Sequence, residues 1–424
     1  MFPILDELSK HNKGKKFCFN FYITQKDMWS LYIFLLLILI IQIQSNDYCS
    51  LNSEKCGKTH NKYSKASNKY EKYFKAIEIA EKNYVECTKS NCGCYKNVIE
   101  EQLAPFKKKG IDEKLIENSR DRGVLYQLID GHLYREKECM FPSRCAGVEH
   151  FILNIIDNIS DAEVIINTRD YPQSSKHFGN PLPVFSFSKT SDYHDIMYPA
   201  WSFWEGGPAI SLYPRGLGRW DQHRISLNNA SLETPWESKK ELAFFRGSRT
   251  SSERDNLILL SREKPNLVDA QYTKNQAWKS KKDTLNLPPA GEVSLESHCA
   301  YKYLFNYRGV AASFRHKHLF LCESLVFHVG NEWTEFYYDA MKPWIHYIPV
   351  SKDASQSELE ELIQFAKDND EISRKIANQG RDFIWEKLRM KDVTCYWRRL
   401  FKKYIKLLTF KPTLKQDLIE IYKK

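Results

Sequence analysis

The sequence lacks an apolar run of the roughly 20 residues that a membrane-spanning helix needs; its apolar segment at residues 29–43 falls short. It lacks the signature of any nucleic-acid-binding module, although its formal net charge is +10. Its 63 Lys and Arg are scattered among 53 acidic residues, so the charge is read without a nucleic-acid partner. No internal repeat is present. Zinc ligation is disfavoured too, because Cys92-Gly-Cys94 lacks the usual two-residue gap between thiolates.

What remains is a chain of 424 residues, long enough for two domains, with the 14% aromatic content expected of sugar or peptide grooves. Lys13, Lys15, Lys16 and Lys26 precede the apolar segment, which fits a signal-peptide core with a cleavage site at Ile43-Gln44-Ser45. A signal anchor is the alternative, and Met28 is a possible true start after so long a basic leader. Either way the body is expected in the secretory lumen. Eleven cysteines suit that oxidising compartment. Cys49 and Cys56 are free to pair with each other, and Cys18 is removed or cytosolic. Asn158-Ile-Ser160 and Asn229-Ala-Ser231 are glycosylation sequons, which places them on luminal surface loops.

Residues 1–45 are thus a signal peptide or anchor, and the Lys, Asn and Ser-rich residues 46–83 a polar stem. Helical patterns at 95–103, 112–120 and 148–156 and apolar strands at 162–167 and 183–187 make residues 84–230 a first α/β domain. The polar stretch 216–235 reads as a hinge. Residues 231–390 form a second domain, with strands at 242–245, 303–307, 324–329 and 344–348 and helices at 252–262, 314–322, 356–367 and 373–388. Residues 391–424 carry a last helix, at 395–408. The fold class is α/β, with parallel sheets and two Rossmann-like halves facing a cleft.

Two strand-to-helix turns are rich in arginine: Phe245-Arg246-Gly247-Ser248-Arg249, leading to Arg254, and Tyr307-Arg308-Gly309-Val310-Ala311-Ala312-Ser313-Phe314-Arg315. Glycine and small hydroxyl residues there aim backbone N–H groups and helix starts at an anion, and arginine adds fork donors suited to phosphate. Two such turns suggest a diphosphate. Asp170 follows a strand at its carboxyl end, where ligands bind in open α/β sheets. By spacing alone it is a turn cap before Pro172, a partner of Arg169, or a functional carboxylate.

The wording around these turns resembles the Rumi-type protein O-glucosyltransferases of the endoplasmic reticulum, relatives of fungal capsule-associated proteins. The resemblance runs from about 84 to 408 and rests on Cys139-Met-Phe-Pro-Ser-Arg-Cys145, Arg169-Asp170-Tyr171-Pro172, residues 184–190, 193–201, 204–208, 216–221 and 272–278, and the two Arg turns. It implies a glycosyltransferase type B fold. It implies disulfides Cys87–Cys94, Cys92–Cys395, Cys139–Cys145 and Cys299–Cys322. It makes Asp170 the catalytic base, and Tyr213, Ser248, Arg254, Val310, Ala311, Ala312, Ser313, Phe314 and Arg315 contacts of UDP-glucose. Met140, Phe141, Pro142, Ser143, Arg144, Ala209, Ile210, Ser211, Leu212, Pro214 and Gln276 become the acceptor groove.

The expected reaction is inverting transfer of glucose to serine in Cys-x-Ser-x-Pro/Ala-Cys segments of EGF-like repeats, Notch-type receptors included, by a monomer and without a metal cofactor. UDP-xylose transfer, another acceptor, or non-catalytic binding of such repeats in the lumen are the rival readings. His316 and His318, two apart, share no helix face and read as surface residues rather than a metal pair. Asp368-Asn369-Asp370 reads as a solvated junction. The chain departs from the family pattern at Glu138, is one residue shorter between Pro208 and Tyr213, and ends without a Lys-Asp-Glu-Leu-like retention signal.

Overall fold

The computed structural model describes residues 68–208, 212–213, 216–274 and 278–423; the leader, most of the stem, Cys18, Cys49 and Cys56 lie outside them. Among the described residues, eleven strands make two sheets: β1 (Val124–Ile129), β2 (His132–Glu136), β3 (Ala162–Ile166), β4 (Val184–Ser186), β5 (Ile196–Met197), β6 (Lys240–Gly247), β7 (Val268–Tyr272), β8 (Tyr301–Asn306), β9 (Leu325–Val329), β10 (Ile348–Val350) and β11 (Leu418–Ile421). The first sheet has the order β11-β2-β1-β3-β4-β5 and the second β10-β9-β8-β6-β7.

Only half of the first sheet is parallel, β3 with β4 and β4 with β5. β1 pairs antiparallel with both β2 and β3, and β11 antiparallel with β2, against the parallel sheet expected from alternation. For the β1–β2 pair the reason is local. Asp130 and Gly131 both take positive φ, 48° and 80°, the two-residue hairpin turn that folds β2 straight back on β1. β3 is buried along its whole length, as a strand covered on both faces must be. Its one charged residue, Glu163, is neutralised by Lys415 Nζ at 2.8 Å and bonded by Gln127 Nε2 at 2.6 Å.

The second sheet is parallel throughout. Its strand order reverses between β6 and β8, a topological switch point, and both Arg turns leave the carboxyl ends of those two strands. The segment expected to extend over 344–348 is instead a turn, with Trp344 at φ 64°, and the strand begins at Ile348.

The stretch read as a hinge is a helix, Trp220–Glu233. Its buried residues Trp220, Arg224, Leu227 and Ser231 fall on one helical stripe, hidden from pattern reading because two of the four are polar. Arg224 donates to the carbonyls of Ile384 and Trp385, and so satisfies the carboxyl end of helix Asp370–Lys387. Burial pushes this guanidinium down to about 10.

The last helix, Met390–Ile405, buries Val393, Tyr396, Trp397, Leu400, Phe401 and Tyr404. Tyr404 packs edge-on against Phe185 of β4, ring centroids 5.0 Å apart, and donates to Glu163 O at 3.0 Å. Disulfides join Cys87 to Cys94, Cys92 to Cys395, Cys139 to Cys145 and Cys299 to Cys322, the four pairs that the resemblance implied. Among the described residues, no helix is long and apolar enough to cross a membrane.

The Cys92–Cys395 bond spans 303 residues of sequence and Cys87–Cys94 only 7, so the first restricts the unfolded chain far more. Replacing Cys92 and Cys395 together by alanine should cost about 2–5 kcal/mol. The urea midpoint followed by tryptophan fluorescence should fall further than in the Cys87/Cys94 double variant.

Candidate active site

The sequence between β6 and helix Asp255–Glu263 supplies many cations in a short space, and the structure sorts them. Arg246 pairs with Asp269 at 2.6 Å, Arg249 with Asp255 at 2.5 Å, and Arg308 with Glu253 at 2.7 Å. Arg254 and Arg315 are different: their acceptors among the described residues are backbone carbonyls, Ser248 O and Arg308 O for Arg254, and Arg246 O for Arg315. Neither has a carboxylate partner among the described residues.

The two guanidinium groups also share a platform. The Phe245 ring centroid lies 5.3 Å from the Arg254 guanidinium carbon and 5.2 Å from that of Arg315. Gly247 lets them converge, because a side chain there would meet Arg315 Nη2 at 3.2 Å and Arg254 Nη1 at 3.5 Å. Burial pushes Arg254 down to about 10; burial and the neighbouring Arg254 cation push Arg315 down to about 9. Two like charges held together in a poorly solvated place are an electrostatic cost that a bound anion removes.

Around them, Ala311, Ala312 and Ser313 are buried, Phe314 is half-buried and Val310 exposed. The helix after this turn is short, His316–Phe320, so arginine rather than a helix start supplies the positive charge. Ser248 is half-buried; the residue that caps the first turn is Ser251, which accepts from Glu253 N. His316 and His318, read as surface residues, are buried: His316 Nδ1 meets Tyr337 OH at 3.0 Å and His318 Nδ1 meets Phe314 O at 3.1 Å.

Asp170 follows β3 at its carboxyl end, with its side chain 38% exposed. Arg144 Nη1 lies 3.1 Å from Asp170 Oδ1 and donates to Thr168 O at 2.7 Å. Arg144 is itself clamped, 4.1 Å from the Phe141 ring and 4.7 Å from the Trp201 ring. Trp201 in turn packs on Phe314 at 5.7 Å, and Phe314 stacks on Phe187 at 4.9 Å. A continuous line of contacts thus runs from Asp170 to the second Arg turn. Trp201 is the residue of this line that sequence reading left without a role, although it closes the quoted motif 193–201.

The Cys139–Cys145 segment is no isolated loop; helix Pro142–Leu153 starts within it, six residues before the helix expected at 148. Pro142 and Ser143 are exposed and Met140 is 64% exposed, while Phe141 is half-buried against Arg144. Leu212 is exposed. Tyr213 OH accepts from Leu295 N at 2.9 Å, and burial pushes the phenol up to about 12. Ala209, Ile210, Ser211, Pro214 and Gln276 lie outside the described residues.

A cavity of about 930 Å³ has Lys189, Met197, Trp333 and Tyr338 in its lining, which does not include Asp170, Arg254 or Arg315. Tyr171 touches Trp333, ring centroids 5.1 Å apart. Among the described residues no group of three or more His, Cys, Asp or Glu side chains is placed to hold a metal ion. The acids of the 368–370 junction have protein partners: Asp368 accepts from Tyr70 OH at 2.6 Å, and Asp370 from Lys302 Nζ at 3.0 Å.

Residues 87–424 match the family described as glycosyl transferase family 90. The chain is 55% identical over 394 residues to the "O-glucosyltransferase rumi homolog" of Aedes aegypti, covering 91% of this chain and 98% of that protein. It is 51% identical to "O-glucosyltransferase rumi" of Drosophila melanogaster, over 91% and 97% of the two chains. It is 56% identical to "Protein O-glucosyltransferase 1" of Homo sapiens, over 83% and 90%. Among solved structures, Anabaena HepE in complex with UDP-glucose aligns at a TM-score of 0.35 and 11% identity, over 62% of this chain and 77% of that one.

The sorting of the arginines makes a direct prediction. Losing one charge-assisted fork should cost UDP binding about 1.5–3 kcal/mol, or roughly tenfold to a hundredfold in Kd. Arg254→Lys and Arg315→Lys should show that loss by titration calorimetry, while Arg249→Lys, whose cation is committed to Asp255, should bind UDP nearly as the native protein does.

Proposed function

Since the chain belongs to glycosyl transferase family 90, we propose that it transfers glucose from UDP-glucose to a serine hydroxyl of a protein, with inversion at the anomeric carbon. The observation that carries this reading is the pair Arg254 and Arg315. Two cations without a carboxylate partner among the described residues, at the switch point of a parallel sheet, suit a diphosphate leaving group.

In this reading Asp170 is the base. The serine oxygen attacks C1 of glucose while its proton passes to the Asp170 carboxylate. The bond from C1 to the diphosphate oxygen breaks, and its electron pair departs with UDP. Arg254 and Arg315 offset the charge that grows on that oxygen, the electrostatic role that a metal plays elsewhere, so no metal is required. Ser248, Tyr213 and the run Val310–Ala311–Ala312–Ser313–Phe314 frame the donor. Arg144 fixes one carboxylate oxygen of Asp170 and, with Met140, Phe141, Pro142, Ser143 and Leu212, borders the acceptor groove.

The proposed acceptors are EGF-like repeats carrying Cys-x-Ser-x-Pro/Ala-Cys, those of Notch-type receptors included, met in the lumen of the endoplasmic reticulum. The four disulfides suit that compartment. The proposed domains are residues 84–230 for the acceptor side and 231–390 for the nucleotide sugar, with 391–424 closing onto the first.

Glucose incorporation from UDP-glucose into a purified repeat, read by intact mass, tests the reaction. Asp170→Asn should keep UDP affinity and lose transfer by about 10²–10⁴-fold, because an amide cannot take the serine proton. More than about a tenth of the native rate would remove Asp170 from this role. A repeat with its disulfides intact should be glucosylated and its reduced, alkylated form nearly inert, since only the folded repeat holds serine in a fixed geometry. Equal incorporation into both would point to a linear acceptor.

A further inference from the structure

The loop that carries Asp170 is short, polar and close to the surface, yet its backbone is fastened from beneath at both ends. On one side Asn167, at the end of β3, accepts from Arg169 N at 2.8 Å through Oδ1 and donates to Tyr171 O at 2.7 Å through Nδ2. These bonds bracket Asp170. On the other side Asp195, just before β5, accepts from Gln173 N and Ser174 N, each at 2.7 Å, with one bond to each carboxylate oxygen. Ser186 of β4 joins the two anchors: its hydroxyl donates to Asp195 Oδ1 at 2.6 Å and accepts from Asn167 Nδ2 at 2.9 Å.

All three residues are essentially inaccessible, Asn167 and Ser186 at 1% exposure and Asp195 at 0%. A buried polar network without full partners is a liability, whereas a satisfied one makes its surroundings rigid. Here the partners are found in the loop itself. Asn167 is further fixed by its carbonyl, which accepts from Tyr198 OH at 2.9 Å, and by its N–H, which donates to Phe185 O at 2.8 Å. Burial pushes the Asp195 carboxyl up, and its three hydrogen bonds, together with the Lys189 cation, pull it back.

We infer that Asn167 and Asp195, linked through Ser186, are positioning residues that set the backbone of the 168–174 loop and so aim the Asp170 carboxylate. The inference rests on Asp170 being the base. A carboxylate that must meet a serine hydroxyl within hydrogen-bond reach loses effect steeply when its backbone drifts, and a displacement of about 1 Å can cost a hundredfold. The donor cradle stands on the other sheet and is built from different strands. Loosening the loop should therefore lower turnover and leave nucleotide binding alone.

Asp195→Asn keeps the shape but replaces one acceptor oxygen with an amide donor, so one loop N–H loses its partner. Asn167→Ala removes the bracket on Asp170. In the full chain, with a folded repeat as acceptor, each should lower kcat about tenfold to a hundredfold while the calorimetric Kd for UDP stays within about twofold. If either variant does not fold, Ser186→Ala, which deletes only the linking hydroxyl, takes its place, with the same split in kcat and Kd expected. Folded variants with native kcat would overturn the inference, and so would a loss of UDP affinity in parallel with kcat, which marks general damage. Asp170→Asn assayed alongside separates the two readings: if it is inactive while the network variants turn over normally, the base stands and the positioning role fails; if it is active, the base itself fails.

Discussion

Two guanidinium groups of like charge, Arg254 buried and Arg315 partly so, resting on one phenyl ring, are the constraint around which the second sheet is arranged. Each is held against repulsion by something other than a counter-charge, and a resident carboxylate would compete with the diphosphate proposed to bind there. Backbone carbonyls from the two Arg turns do this. They fix direction without cancelling charge. The carboxylates Asp255, Asp269 and Glu253 are all occupied by the neighbouring arginines, which keeps them away from the shared cradle. The missing side chain of Gly247 leaves room beside the Phe245 ring and the two cations.

The carboxylate of the first sheet and the cations of the second are not independent parts. Arg144, Trp201 and Phe314 connect them through ring and cation contacts, and residues 189 and 334 bond reciprocally through their backbones, at 3.2 and 3.0 Å. Aromatic faces suit this task because they tolerate small sliding while resisting separation.

Much of this was legible in the sequence, and unevenly so. The two Arg turns were visible because glycine, small residues and arginine cluster directly after the short apolar runs 242–245 and 303–305. Which arginines stay without a carboxylate was not legible, since Asp269 and Glu253 reach their partners only through sheet register and helix position. The β1–β2 hairpin hides in one Asp-Gly pair, and β11 in four residues near the end of the sequence that pair with β2. The helix Trp220–Glu233 was missed because Arg224 and Ser231 occupy its buried face. His316 and His318 were misplaced because their helix is covered on every side. Ser186 and Asp195 lie in the stretches 184–190 and 193–201, but nothing in the sequence joined them to Asn167, since all three are ordinary polar residues at strand ends until the fold brings them together.

The bond between Cys92 and Cys395 has a consequence of another kind. Together with the chain it closes a covalent ring that contains every strand except β11, both Arg turns and the Asp170 loop. A protease that cuts one exposed loop inside that ring therefore opens a circle rather than severing a line. The nicked molecule stays one piece, its halves held in register by sulfur as well as by packing, and comes apart only when the bond is reduced.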